Sequence, residues 1–408
     1  YAGAKGAKTT EAGQLATAMG WSTPSTIKEF AIDGFVNSAD LEYIKENMTS
    51  LQTLDLSKAK LEDKIPDKAF AGMPLIAYMS PDNVTEVGDS IFTGCKELAS
   101  VEWNSSTKLR DNSFDADINP NLLLFLKYET SAPANYTGNK IVNGQASLIT
   151  LVDDEHSNFK CTQEFKAKVI SYTHNFKMTS GNGGGWEAIT LPFDVSRVFH
   201  ESKGDMMPFA SWEQNKPENY KPYWLCEFTV DGFVDAAQIK ANRPYIVCMP
   251  NNEKYASRFR LGGKVTFYSE EVVVPVTNPI SATRGNVTFT PNFQSKITNG
   301  DVLALNLEEY EEHVPGSIFV NDARIIRPFE AYATSIGLTR GFISVAETRG
   351  MNGGNDFTGI EERTIEDGNL VKVYNLSGVL VKECVKEDAL KGLAKGVYIV
   401  NGKRMMVK

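Results

Sequence analysis

The chain has 408 residues, which is enough for about two or three domains of ordinary size. Its formal net charge of −9 argues against a nucleic-acid-binding protein, because such proteins need a basic face to neutralise phosphates. No apolar run approaches the roughly 20 residues that a transmembrane helix requires. The chain begins at Tyr1 and not at Met, so we interpret it as a processed chain and attach no weight to the lack of a leader.

Residues 1–26 are rich in Gly, Ala and Thr, and we expect them to form an N-terminal cap. The segment from Thr10 to Met19 predicts a short helix, with Gly20 as its end. A further helix is expected from Asp40 to Met48. A cap suits a repeat fold, because the open end of a stacked core has to be covered.

Residues 27–128 contain a repeat with one strand per period. Short strands of the form aliphatic-x-x-apolar begin 23 or 24 residues apart, at Ile27, Leu51, Leu75, Leu98 and Leu122. A second series runs in step at a spacing of 22 residues and consists of Phe70, Phe92 and Phe114. A period of 20–29 residues predicts a leucine-rich repeat solenoid. We expect the leucines to stack in one buried column and the phenylalanines in another.

The strand positions between the buried ones should face away from the repeat core, because side chains alternate along a strand. A solenoid displays a surface more readily than it builds a catalytic pocket, so we expect a ligand to bind there. The predicted ligand-binding residues are Asp33, Asp55, Ser57, Met79, Glu102 and Asn104. Most of them are polar or acidic, so the partner should carry positive charge or hydrogen-bond donors.

The repeat region resembles the BspA-like leucine-rich repeat surface proteins of Bacteroidota. The residues that follow the family's order are Pro81, Val84, Val87, Ile91, Phe92, Cys95 and Leu98. The unit that opens at Leu51 and continues through Ile65, Pro66, Ala69 and Phe70 also resembles the family's first repeat. Departures are Met73 where Cys is usual, Ile91 where Ala is usual, and a degenerate last repeat at 115–121. The resemblance implies adhesion to host proteins, other bacteria or polysaccharide.

A turn-rich linker is expected at residues 129–141, and the region 142–348 then changes character. Many short alternating strands with Gly and Pro turns predict an antiparallel β-sandwich. The segments 186–193, 241–245 and 328–332 resemble β modules of secreted Bacteroidota proteins, and no activity comes with that likeness.

Residues 349–359 have the composition of a flexible linker, and residues 360–408 predict four short strands. Asn401-Gly402 between two apolar runs is a strong hairpin signal. The segment resembles the C-terminal sorting domains of type IX secretion cargo, on residues 373–378 and 393–398. This resemblance implies an extracellular or outer cell-surface location, with a signal peptide already removed.

No motif of catalysis or metal binding emerges from the titratable residues. The four histidines, His156, His174, His200 and His313, lie in no metal-ligand spacing, and we expect surface or turn positions for them. The acidic runs 153–155 and 308–312 are interpreted as solvated loops, with calcium binding as the alternative. The glycine run 181–185 lacks the residues of a phosphate-binding loop, so we expect a mobile hairpin loop.

Two sets of residues leave alternatives open. The five cysteines, Cys95, Cys161, Cys226, Cys248 and Cys384, are widely spaced without any CxxC, which favours isolated buried thiols over one or two disulfides. The aromatics Trp212, Tyr220, Tyr223 and Trp224 lie around a polar loop and could stack on sugars, although core packing is the preferred interpretation.

Taken together, the sequence predicts a mainly β protein with minor α content: a short leucine-rich repeat solenoid, an antiparallel β-sandwich region and a small C-terminal β module. We expect a non-enzymatic binding protein without cofactor or metal, whose partner is an extracellular protein or glycan. The alternative is a glycan-binding protein with its site in the middle β region, and a hydrolase is a more distant one.

Overall fold

The computed structural model describes residues 5–9, 11–20, 23–181, 183–253, 255–298, 302–321, 323–337, 342–345, 370–385, 388–400 and 403–407. Within these residues the chain is mainly β, with three short α-helices and several antiparallel sheets. None of the described helices is long and apolar enough to cross a membrane.

The N-terminal region is a ladder of parallel strands. Its elements are β1 (Lys5–Thr9), α1 (Leu15–Met19), a 3-10 helix (Pro24–Thr26), β2 (Glu29–Val36), α2 (Ser38–Asn47), β3 (Thr53–Leu61), β4 (Ala77–Met79), β5 (Ser100–Trp103), β6 (Leu123–Leu126), a second 3-10 helix (Glu129–Ser131) and β7 (Asn139–Val142). Each strand pairs in parallel with the next one along the chain. The ladder therefore runs beyond the predicted repeat at both ends, through β1 and β7.

The spacing of the repeat determines which residues lie opposite one another in the ladder. Leu54, Tyr78, Val101 and Leu124 lie opposite one another on successive strands and are completely buried. The four leucines that open strands β3 to β6, from Leu51 to Leu122, are buried in the same core. Side chains one period apart thus meet in one column, because each turn of chain advances by one strand.

A stack of aromatic rings forms a second column behind the strands. The ring centroids of Phe70 and Phe92 are 5.5 Å apart, and those of Phe92 and Phe114 are 5.4 Å apart. Tyr136 continues the stack at 5.6 Å from Phe114, although its segment was predicted to be a linker. Backbone hydrogen bonds link these turns as well, for instance from the N–H of Phe70 to the carbonyl of Ile91.

One buried carboxylate ties the N-terminal segment to the ladder. Asn37 caps α2, and Asp40 completes a capping box by accepting from the backbone N–H of Asn37. The same carboxylate also accepts from the N–H groups of Gly13 and Leu15, at 2.7 and 3.0 Å. It therefore fixes the start of α1, which Gly20 ends in the left-handed conformation as predicted.

The middle region begins with strands that continue from the ladder. Its first elements are β8 (Gln145–Ala146), β9 (Ile149–Val152), β10 (Phe165–Phe176), β11 (Trp186–Thr190), β12 (Arg197–His200), β13 (Gly204–Pro208), α3 (Phe209–Asn215), β14 (Lys221–Thr229), β15 (Gly232–Asp235), β16 (Pro244–Cys248), a 3-10 helix (Ser257–Phe259) and β17 (Gly263–Val274). The long strands β10 and β17 pair antiparallel over their whole length. On either side of this pair lie β9 and β12, and β11 pairs with β16, which also pairs with β14.

A second set of antiparallel strands completes the middle region. It comprises β18 (Ala282–Arg284), β19 (Val287–Pro291), β20 (Lys296–Ile297), β21 (Val302–Leu305), β22 (Ile318–Val320), β23 (Ile325–Ile326), β24 (Ala331–Ser335) and β25 (Phe342–Ser344). Six of them form a sheet in the order β18-β19-β24-β21-β22-β25. Rings of Phe228 and Phe233 from the first set pack against Phe289 and Phe319 of this sheet, so the two sets share an apolar core.

The tail forms a small sheet of its own in the order β27-β26-β28-β29. The strands are β26 (Leu370–Asn375), β27 (Leu380–Val385), β28 (Gly396–Val400) and β29 (Lys403–Val407). All pairs are antiparallel, with Val400 opposite Lys403, as the hairpin signal predicts. The predicted linker 349–359 and the Asn401-Gly402 turn lie outside the described residues.

Candidate functional site

The predicted ligand surface is open at β2 and β3. Asp33 is exposed and lies opposite Lys58 on the neighbouring strand. Asp55 is half-buried, and its carboxylate accepts hydrogen bonds from the backbone and the hydroxyl of exposed Ser57, at 2.9 and 2.6 Å. These three predicted residues are therefore accessible to a partner.

The same face is covered from β4 onwards by the middle region. Met79 is 3% exposed and Glu102 is 8% exposed, although both lie in register with Asp55 on the face turned away from the ladder core. The Ser100 and Thr162 hydroxyls are 2.8 Å apart, and the next residue in the row, Phe125, packs in the core of the middle region. Alternation predicts the direction of these side chains but not the chain that covers them.

The last two predicted residues take part in contacts within the protein. The side chain of Glu102 accepts hydrogen bonds from Thr162 and Gln163; burial nevertheless raises the pKa of its carboxyl. Asn104 donates from its side-chain amide to the carbonyl of Ser80 at 2.8 Å and thereby links successive turns of the ladder. The sequence predicts both residues to bind a ligand, but both side chains make hydrogen bonds within the protein.

We call the uncovered part of this surface the open ladder face and define it as Asp33, Phe35, Asp55, Ser57, Lys58 and Lys60. Phe35 is 43% exposed and lies opposite Lys60. The charges are of both signs, since lysines flank the two aspartates and Lys60 forms an ion pair of 2.7 Å with Asp82. The sequence predicts mostly polar or acidic residues here, and the open ladder face adds to them two lysines and one exposed aromatic ring.

A second cluster of charged residues is buried where the two strand sets of the middle region meet. His174 on β10 contacts Asp153 through Nδ1 at 2.7 Å and Glu187 through Nε2 at 2.5 Å. The guanidinium of Arg327 donates to Asp153 at 3.1 Å, and the backbone N–H of Arg327 donates to Glu330 at 3.0 Å.

Glu330 in turn pairs with Arg324, which also donates to the carbonyl of Leu305 at 2.8 Å. The resulting cluster has three cationic and three acidic side chains: His174, Arg324, Arg327, Asp153, Glu187 and Glu330. It joins the β9–β11 strands to the segment that precedes β24. Phe329, within that segment, packs its ring 5.0 Å from that of Tyr172.

The electrostatics of this cluster keep His174 protonated. Burial opposes the positive charge, but hydrogen bonds to Asp153 and Glu187 raise the pKa of His174 to about 9. The pKa of Asp153 is lowered despite its burial, by the hydrogen bond to His174 and by the nearby Arg327. An imidazolium with both nitrogens bound to carboxylates has no lone pair with which to act as a general base.

The cavity beside the cluster is also too small to hold a substrate. The cavity that Asp153, His174, Glu187 and Arg327 line is about 10 Å³, which is room for one water molecule at most. No cluster of three or more His, Cys, Asp or Glu side chains suited to a metal ion occurs in the described part of the chain. We therefore interpret the cluster as an ionic contact that holds the two strand sets together.

Sequence reasoning did not find this cluster, because it assigned Asp153 to a solvated loop and His174 to a surface or turn position. One signal was available. Tyr172, His174 and Phe176 alternate on the inward face of β10, so an isolated histidine there has to be buried and paired.

The structure also places the cysteines, the aromatic residues around Tyr220 and the glycine run 181–185. All five cysteines lie within the described residues, no disulfide joins them, and four of them are buried, as predicted. Trp212, Tyr223 and Trp224 are buried, which confirms core packing, whereas Tyr220 is 38% exposed. The expected mobile glycine loop is wrong at its end, because Gly184 and Gly185 are buried and Gly185 donates to the carbonyl of Pro315 at 2.8 Å.

Comparison with known proteins adds no assignment to this geometry. No protein-family model matches the chain, and a search of curated proteins found no match either.

Proposed function

We propose that this chain is a non-enzymatic binding protein of the extracellular space or the outer cell surface. In this proposal the N-terminal ladder is a short leucine-rich repeat solenoid of the BspA-like kind, and the tail is a sorting module. The parallel register at one strand per 22–24 residues supports the first part, because it is the arrangement such repeats produce. The second part rests on the sequence resemblance of residues 360–408.

The open ladder face is the surface that we propose for an extracellular protein partner. The observation that carries this proposal is Phe35, an exposed ring surrounded by charged and polar side chains of both signs. Protein interfaces commonly combine an aromatic anchor with a polar rim, and a few such anchors supply most of the binding energy. The flat face of a parallel sheet suits a folded partner better than a small molecule.

The His174 cluster supports a non-enzymatic function. Its carboxylates and cations neutralise one another, and its cavity of about 10 Å³ admits no substrate. A catalytic pair of carboxyl groups would instead flank an open cleft, with one carboxyl kept protonated for proton transfer.

An array of immobilised extracellular-matrix proteins and glycans, probed with the full chain, tests the proposal. The partner that it identifies should then be titrated against Phe35→Ala by surface plasmon resonance, and we expect binding at least about tenfold weaker. Tyr128→Ala is the matched control, because Tyr128 is 42% exposed and lies outside the open ladder face. Equal affinity of Phe35→Ala and the control for every partner found would refute this location.

Charge changes on the open ladder face belong at its two aspartates. Glu102, although predicted for the same surface, lies in its covered part, so we choose Asp33→Lys with Asp55→Lys. Exposed charges act mainly on the association rate, and salt screens them. We expect the double variant to change the association rate while the melting temperature stays close to that of the wild type.

A further inference from the structure

A cleft in the middle region is lined by several polar side chains. It lies between β12 and β13 on one side and α3 with residues 237–239 on the other, and its volume is about 550 Å³. Small-molecule sites typically measure about 300–1,000 Å³, so the cleft has the size of a ligand site. The residues on which the argument depends are Arg197, Asp205, Ser211, Tyr220, Tyr223 and Gln238.

The floor of the cleft contains a hydroxyl group without a partner. Tyr223 is 2% exposed, and its hydroxyl makes no hydrogen bond with any residue that the structure describes; burial alone raises its pKa. The hydroxyl of Ser211 on α3 also lacks a partner among the described residues. A hydroxyl at the floor of a cleft that no protein group engages is available to donate a hydrogen bond to, or accept one from, a bound molecule.

The charges in the cleft cancel. The guanidinium of Arg197 pairs with Asp205 at 2.6 Å and stacks 5.1 Å from the ring centroid of Phe199. Gln238 donates one side-chain N–H to the carbonyl of Val195 at 2.8 Å, which leaves its amide oxygen as an acceptor. The site therefore offers donors and acceptors without a net charge, which favours a neutral ligand with several hydroxyl groups.

The rim supplies an apolar surface for the same ligand. Tyr220 lines the cleft and is 38% exposed, while Met206 and Ile239 contribute buried aliphatic surface. A sugar ring has one face of C–H groups and a perimeter of hydroxyls, so an exposed aromatic ring beside unpaired polar groups matches both parts of it.

We propose that this cleft binds a hexopyranose unit of a neutral carbohydrate. The sugar's C–H face lies on Tyr220, one hydroxyl bonds to the hydroxyl of Tyr223, and two neighbouring hydroxyls bond to the Arg197–Asp205 pair. This site is independent of the open ladder face, so either proposal can fail without the other.

Isothermal titration calorimetry with the full chain tests the assignment. The probes are neutral hexasaccharides of glucose, mannose and galactose, together with a hexauronate as the anionic comparison. We expect saturable binding of at least one neutral hexasaccharide and none of the hexauronate. Absence of binding for all neutral probes, or binding of the hexauronate alone, overturns the proposal.

Two substitutions then locate the binding. Tyr223→Phe removes only the unpaired hydroxyl and should weaken binding about fivefold without lowering the melting temperature. Tyr220→Ala removes the exposed ring and should weaken binding about tenfold. Tyr128→Phe and Tyr128→Ala are the matched controls and should bind as the wild type does. Unchanged affinity in both cleft variants would place the sugar elsewhere and overturn the assignment, whereas a loss confined to them would support it.

Discussion

The ladder and the middle region bring residues together over very different distances along the chain. In the ladder, contacting side chains such as Leu54 and Tyr78 lie one repeat apart, and the next contact lies one repeat further on. In the middle region, Arg327 contacts Asp153 across 174 residues, and nothing between them repeats. The contacts of the ladder therefore follow the period of its sequence, whereas those of the middle region follow no period.

The two regions also differ in what fills their cores. Stacked aromatic rings and leucines fill the ladder, and hydrogen bonds between successive turns recur at each repeat. The middle region adds to its apolar core the ionic cluster around His174. Damage to the ladder should therefore act through lost packing, and damage to the cluster through unpaired charge.

The largest effect that we predict is on the ladder. Phe92→Ala removes a buried ring from the middle of the aromatic stack and should lower the free energy of unfolding by about 3–5 kcal/mol. Phe114→Ala should cost less, because Phe114 is only half-buried. Urea unfolding followed by circular dichroism measures both, and equal losses for the two variants would contradict the stacked arrangement.

A smaller loss is expected from the ionic cluster. His174→Leu leaves the buried Glu187 without its cation, whereas Asp153 keeps Arg327, so we expect a loss near 3 kcal/mol, at about the low end for a broken buried pair. Adding Glu187→Gln removes the stranded charge and should restore much of the stability. If the double variant is less stable than His174→Leu, the cluster does not act through charge.

The same cluster predicts how stability depends on pH. The pKa of His174 is about 9 in the folded state against 6.5 unfolded, so its contribution is fully present below pH 6.5 and is lost as the pH rises through 9. Over that window the free energy of unfolding should fall by up to about 1.4 kcal/mol per pH unit more in the wild type than in His174→Leu. Chemical unfolding of both proteins between pH 6 and 10 measures this difference, and parallel profiles would rule it out.

The sequence allowed a good part of the fold to be predicted, for a physical reason. Phe70, Phe92 and Phe114 form a column because each repeat moves the chain on by one strand of the ladder. The four strands of the tail were predictable because short apolar runs alternate with turn residues there. Tyr136 was not predicted because a tyrosine replaces phenylalanine at the fourth position, inside a segment whose Ser, Pro, Asn and Gly residues indicate turns.

The candidate sites were less predictable, because burial depends on partners that are distant in sequence. Glu102 has the alternation of an outward-facing residue, but Thr162 covers it, and no local pattern marks that contact. The His174 cluster likewise combines residues from two strands, β10 and β11, with residues from the loop after β9 and from the segment before β24. The alternation of side chains along a strand predicts the direction of each side chain. It does not predict whether water or another part of the protein covers that face of the sheet.

The smallest predicted effect lies where the two regions meet. Burial raises the pKa of Glu102, so the wild type loses stability as the pH rises from the ordinary carboxyl pKa through the raised one. Glu102→Gln removes that charge while it keeps the shape of the side chain, so at neutral pH we expect stability within about 1 kcal/mol of the wild type or slightly above it.

Asp33→Asn is the matched control for this change, since Asp33 is exposed on the open ladder face and is not among the groups that shift the pKa of Glu102. Asp33→Asn should keep the part of the decline that Glu102 causes, whereas Glu102→Gln should lose it. Thermal melts of the three proteins between pH 4 and 8 separate these outcomes. Glu102→Gln could instead lower the melting temperature by as much as the loss of a buried ion pair does. In that case the charged carboxylate is needed for the hydrogen bonds to Thr162 and Gln163 that join the two regions. The reason would be that hydrogen bonds to a charged group are stronger than those between neutral groups.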